Sequence, residues 1–156
     1  MRRLVLFIAL ALVASSCGGG GGSKPLSKAE FEARLGSIFR EAQGKTLPAV
    51  MAVSPADPKQ AVRRLKQAER SLHDAAAKLA AMKPPANAAG ATSQLAAAMK
   101  RIADRVTAAR KDAEEGDFAR LERFKLQIGS DPAVARVRDA VVQLVNLGYN
   151  VAGPGP

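Results

Sequence analysis

The sequence predicts an all-α fold, an antiparallel helical bundle of four main helices plus one short helix, placed after a signal peptide and a Gly-rich tether. Three observations carry this. Apolar residues recur at alternating steps of four and three over long segments, the spacing that puts them on one face of a helix. Asp-Pro and Ser-x-x-Glu sequences stand where those segments begin, and glycine or proline where they end. No segment shows the two-residue alternation of a strand.

The chain opens with Met1-Arg2-Arg3, an apolar run over residues 4–14, and Ser15-Ser16-Cys17. A basic start, a short apolar stretch and a small-residue exit predict an export signal over residues 1–16. The apolar run is too short to span a bilayer, which takes about 20 residues. Cys17 is the single cysteine and stands at the cut, which predicts a lipoprotein signal with Cys17 as the lipidated first residue of the mature chain. Ala14-Ser15-Ser16 also fits the small-x-small pattern of ordinary secretory cleavage, which would leave a soluble exported protein with a free Cys17. Residues 17–25 read as lipidated cysteine and flexible Gly/Ser tether. At random-coil scaling, six such residues reach about 12–15 Å and keep the domain near the membrane.

The 24 basic residues outnumber the 14 acidic ones. Loss of Arg2 and Arg3 with the leader leaves 22 against 14, a net charge of +8. About 130 residues remain, enough for one core. A basic domain near a membrane attracts anionic headgroups or wall polymers. Nucleic acid is not an expected partner, because Phe31, Phe39, Phe118, Phe124 and Tyr149 are not interleaved with cations as a stacking platform requires.

The helical domain is assigned to residues 26–150. Ser27 and Glu30 form a capping box, Leu26 is placed to staple onto Phe31, and Phe31, Leu35, Ile38 and Ala42 make the first seam. Gly44 or the residues before Pro48 should end this helix, with residues 47–56 as a loop. Asp57-Pro58 starts the second helix, whose seam runs Ala61, Leu65, Ala68, Leu72, Ala75, Leu79 and Met82 up to Pro84-Pro85. The third carries Leu95, Met99, Ile102, Val106, Ala109 and Ala113 and closes at Gly116. Equal lengths and a short Pro-Pro turn predict an antiparallel hairpin with close backbones. Asp117 caps the short helix with Phe118, Leu121, Phe124 and Ile128. Asp131-Pro132 starts the last, which is apolar around much of its circumference (Val134, Val137, Val141, Val142, Leu144, Val145, Leu147). That breadth predicts the most buried element, packed on the hairpin and the first helix. Gly148 closes it, and residues 151–156 read as a disordered tail.

Candidate sites are few. His73, the lone histidine, stands one step past Leu72 on the helix rim beside Asp74 and Glu69, with no nucleophile in view, and is read as structural. Asp112, Glu114, Glu115 and Asp117 are the one acidic cluster and the only candidates for a cation, but their spacing matches no calcium loop. Arg110–Glu114 and Lys111–Glu115 pairs, with Asp117 as a cap, account for them. Arg63, Arg64, Lys66 and Arg70 on the second helix, with Lys100, Arg101 and Arg105 on the third, concentrate cations. Lys66/Arg70 and Arg101/Arg105 repel at i,i+4, which an anionic partner would relieve. No phosphate loop, metal spacing or nucleophile elbow is present, so no catalytic residue, metal or cofactor is assigned.

Ser27-x-x-Glu30-Phe31 followed by Gly36-Ser37-Ile38-Phe39, the Gly116-Asp117-Phe118 break and the closing Leu147-Gly148-Tyr149-Asn150-Val151, after a lipidated Cys17, resemble a group of small Ala-rich helical lipoproteins common in actinobacteria. The resemblance implies no activity. Members of that group carry cysteines at the place of Phe39 and near Val151, and this chain has neither. The expectation is a non-enzymatic envelope protein, an accessory or interaction module for another envelope protein. It would be lipid-anchored to the outer face of the cytoplasmic membrane, or to the outer membrane if the cell has one. The alternatives are an electrostatic adaptor to anionic lipid or wall polymer through Arg63, Arg64, Arg70, Arg101 and Arg105, and a small-ligand carrier within the bundle.

Overall fold

The computed structural model describes residues 24–54 and 56–151. Residues 1–23, on which the expected signal, Cys17 and most of the expected tether fall, residue 55, and residues 152–156 of the expected tail lie outside the described residues. Within them the chain is all-α, with no strand, and forms α1 (Lys28–Met51), α2 (Pro58–Ala81), α3 (Ala89–Glu114), α4 (Phe118–Gln127) and α5 (Pro132–Asn146). Short 3₁₀ turns precede α3 and α5.

Local chemistry sets the boundaries. The Glu30 backbone N–H donates to Ser27 Oγ, and the Ser27 N–H donates back to Glu30 Oε2 at 2.9 Å, completing the capping box at α1. Asp57, Asp117 and Asp131 each accept a backbone N–H from the first turn of α2, α4 and α5. Gly116 and Gly148 close α3 and α5 at φ of 80° and 83°, where a Cβ is strained.

The seams meet as one core. Phe31, Leu35, Leu65, Leu79, Leu95, Leu121 and Leu144 are fully enclosed, each stabilising by about 1.5–3 kcal/mol. Alanines in the facing seams let the α2 and α3 backbones approach, and this hairpin makes the most extensive helix contact in the bundle. Helices α4 and α5 pack on α3, and α1 on α2. Thr92, buried in α3, donates its hydroxyl to Ala88 O at 2.8 Å, whereas the buried Ser71 and Thr46 hydroxyls have no partner among the described residues.

Two expectations are corrected. Helix α1 does not stop at Gly44 or before Pro48; it runs through Pro48 to Met51. Burial of Ala49 and, just beyond the helix, Val53 extends the Ala42 face, and this packing outweighs the bond that proline removes. Gly44, the residue whose carbonyl the proline ring meets, stands in open space and can give way. Nor is α5 the most buried helix. It encloses only Ala133, Ala140 and Leu144, and leaves Val142 and Val145 half exposed. Helix α3, packed by α2, α4 and α5, buries most side chains among the described helices.

The first and last described segments meet at one end. Leu26 N–H donates to Lys83 O at 2.8 Å. The Tyr149 ring stands edge-on to Phe31 at 5.1 Å, and its hydroxyl donates to Asn87 Oδ1 at 2.7 Å. Asn150 N–H donates to Glu32 Oε1. Non-covalent contacts thus join the first and last described segments. Val151, assigned to the tail, is half-buried against the core.

Candidate functional site

The hairpin is locked by a charged network. Arg110 Nε on α3 donates to Glu69 Oε2 on α2 at 2.6 Å, and Thr107 donates to Glu69 Oε1 at 2.9 Å. A second arm of Arg110 reaches Glu114 at 2.6 Å. Burial pushes the Glu69 carboxyl up, but the hydrogen bonds from Arg110 and Thr107 and the guanidinium charge outweigh it and leave its pKa below the ordinary value. The hydrogen bond to Glu69 in turn raises the pKa of Arg110 against the desolvation that would lower it. His73, half-buried a turn beyond Glu69, faces a carboxylate already held, and Asp74 is exposed. These three are not arranged around a reacting position.

The acidic cluster divides. Glu114 pairs with Arg110, while Arg120 approaches Asp112 at 3.5 Å and Asp117 at 3.1 Å. Glu115 is exposed at the end of α3. Among the described residues no three His, Cys, Asp or Glu side chains converge as metal ligands would.

The cations singled out in the sequence do not form one patch. The Glu69–Arg110 bond fixes the hairpin register. Arg64 precedes Glu69, and Arg105 precedes Arg110, by equal numbers of residues. Because the helices run oppositely, these offsets add to roughly 15 Å of axial separation at 1.5 Å per residue. The same arithmetic puts Arg63 and Arg101 roughly 22 Å apart. Arg70 sits between them, its Nε donating to Lys66 O at 3.3 Å.

Arg101 and Arg105 instead border the far side of α3, where they meet arginines the sequence reading passed over. Three open clefts of about 310, 330 and 320 Å³ follow one another along this side. Arg105 shares the first with Arg120 and Arg123 of α4, and the second with Arg101 and Arg136 of α5. Arg101 and Arg136 continue into the third, beside Asp139. Arg105 Nε bonds Asp131, the α5 cap, at 3.1 Å. Arg101, Arg123 and Arg136 make no ion pair among the described residues. A fourth cleft, between α1 and α2, holds Glu41 under Lys45 and Lys78 at 2.8 and 2.6 Å, and hydrogen bonds from these lysines bring the carboxyl pKa down to about 2.

Arg120 with Arg123 and Arg136 near a helix start were visible in the chain. Their juxtaposition with Arg101 and Arg105 depends on which faces of α4 and α5 turn to α3, and no local pattern carries that. Cys17, the proposed lipidation site, lies outside the described residues. None of the described helices is long and apolar enough to cross a membrane. Comparison with family models, curated proteins and solved structures gave no match to this chain.

Proposed function

We propose that the chain is a lipid-anchored, non-enzymatic module of the cell envelope whose bundle binds another envelope protein. One observation supports the binding role: large apolar side chains are exposed at the end of the bundle opposite its first described residues. Leu47 and Met51 of α1 and Leu126 of α4 are 64, 70 and 82% exposed. Lys125 Nζ bonds Val53 O at 3.3 Å and holds α4 beside the chain leaving α1, so the three share one end. Leu26 is tied at the other end, to Lys83. Seven extended residues set an upper limit of about 25 Å between Cys17 and Lys24. Helix α1, about 36 Å long, then places the apolar end away from the attachment point. Exposed apolar groups of this size suit a protein partner.

The test is cross-linking of the tagged protein in intact cells, beside membrane fractionation of a Cys17→Ser variant. One reproducible envelope protein, lost when Leu47, Met51 and Leu126 are changed to Ser, is the expected capture, and Cys17→Ser should leave the membrane fraction. Capture unchanged by the triple substitution would overturn the proposed surface, and a Cys17→Ser protein still on membranes would overturn the anchor. A second reading, an electrostatic adaptor to an anionic polymer, is favoured by the arginine-bordered clefts along α3.

A further inference from the structure

We infer that the three clefts along α3 form one continuous site for a linear oxyanion polymer, with Arg101, Arg105, Arg120, Arg123 and Arg136 as its cationic border. The inference rests on the electrostatic reading and gives it a location that the sequence did not. Neighbouring clefts share residues, Arg105 and Asp131 between the first and second and Arg101 and Arg136 between the second and third. From Asp112 to Gln94, the α3 residues at the two extremes, the groove runs about 27 Å at 1.5 Å per residue.

Three helices supply the arginines, so the border is built by the tertiary fold and not by one charged helix face. Asp131, the α5 cap, offsets Arg105, Asp112 and Asp117 offset Arg120, and Asp104 takes Lys100 at 3.0 Å, so the unpaired charge of the border is that of Arg101, Arg123 and Arg136. Asp139 adds a negative charge beside the third cleft. The bond to Asp131 orients Arg105 through Nε and leaves its terminal amino groups free to donate, since a guanidinium carries five N–H donors. Arg101, Arg123 and Arg136 offer the full fork, whose planar geometry matches the paired oxygens of phosphate or carboxylate better than a lysine does. In the α1–α2 cleft, by contrast, Lys78 is already paired with Glu41, which Lys45 shares.

Shape selects the kind of polyanion. A groove between helices admits a strand, whereas a bilayer presents a plane that meets only the outermost side chains. Phe124 is the only aromatic side chain lining the clefts, so the stacking that nucleobases use is not supplied.

The test measures binding of long-chain polyphosphate and of polyglutamate to the purified full-length protein in neutral detergent, over a range of salt. Two triple variants are compared, Arg101→Gln/Arg123→Gln/Arg136→Gln and Arg63→Gln/Arg64→Gln/Arg70→Gln, both checked for native helicity and melting. They remove equal charge, so bulk attraction falls equally. The cleft variant should bind about 10- to 100-fold more weakly and lower the log–log salt slope by about two, while the α2 variant should change less than about threefold. The two polymers distinguish a phosphate from a carboxylate ligand. Equal loss in both variants, or tighter cleft-dependent binding to anionic vesicles than to either polymer, would overturn the groove while leaving the electrostatic reading standing. No binding of any anionic probe would overturn both.

Discussion

Removal of the Glu69 carboxylate tests whether the hairpin is held by a charged lock or by alanine packing alone. Glu69 and Arg110 are 17 and 18% exposed, so solvent screens their bond only in part. Glu69→Ala removes two hydrogen bonds, from Arg110 at 2.6 Å and Thr107 at 2.9 Å, and leaves Arg110 with Glu114 as its remaining partner. Hydrogen bonds to charged groups contribute about 1.5–3 kcal/mol, and the surviving Glu114 arm offsets part of the loss, so a destabilisation of about 2 kcal/mol is expected. For a domain of this size that corresponds to a melting temperature lower by roughly 6–10 °C. The assay is urea unfolding followed by far-UV circular dichroism, for wild type, Glu69→Ala, Arg110→Ala and the double variant, with a coupling energy of about 1–2 kcal/mol. The pH dependence gives an independent reading. The folded-state pKa of Glu69 lies below its unfolded value, so its contribution is fully present above about pH 4.5 and is lost as pH falls through the folded value. Glu69→Gln should therefore flatten that part of the acid limb. A coupling below about 0.5 kcal/mol, or an acid limb identical to wild type, would refute the lock.

Ser71→Ala should stabilise the protein by about 1 kcal/mol in the same denaturation assay, because it deletes a buried hydroxyl that has no partner among the described residues. Tyr149→Phe should cost about 1 kcal/mol through the lost bond to Asn87, and Tyr149→Ala about 3–4 kcal/mol through the cavity left against Phe31; equal losses would mean that the ring adds nothing. Glu41 should titrate near pH 2 by NMR and move toward the ordinary glutamate range in Lys78→Met, since two lysine hydrogen bonds hold it down. An unmoved midpoint in that variant would remove the α1–α2 ion pair as its cause.

Helix existence and most boundaries were legible because they rest on local chemistry. Ser27–Glu30, the three Asp caps, Gly116 and Gly148 act within a few residues of themselves, and the seams read directly as helix faces. The failures share one cause, dependence on a distant partner. Pro48 lies inside α1 because Ala49 and Val53 find a core to bury in, which nothing near residue 48 announces. The valines of α5 read as a buried surface, yet Val142 and Val145 remain half exposed because α3 covers the opposite face of that helix. The candidate site follows the same rule. Arg101 and Arg105 were singled out by their own spacing, whereas Arg120, Arg123 and Arg136 join them only through the packing of α4 and α5 on α3.

The junction of Phe31 and Glu32 with Tyr149 and Asn150 has a kinetic consequence. The Asn150–Glu32 bond closes a separation of 118 residues, against 41 for Arg110–Glu69. Chain-closure entropy makes the longer circuit costlier by about 0.9 kcal/mol, before any stiffness of preformed helices is counted. The hairpin therefore has the earlier claim on the folding nucleus, and substitutions at the junction of the two ends are expected to change the unfolding rate and not the folding rate in stopped-flow measurements. Interactions formed after the barrier act as a latch: they leave the folding rate nearly untouched and slow the escape from the native state. Lifetime against proteolysis would then be set at this junction more than in the alanine-lined centre.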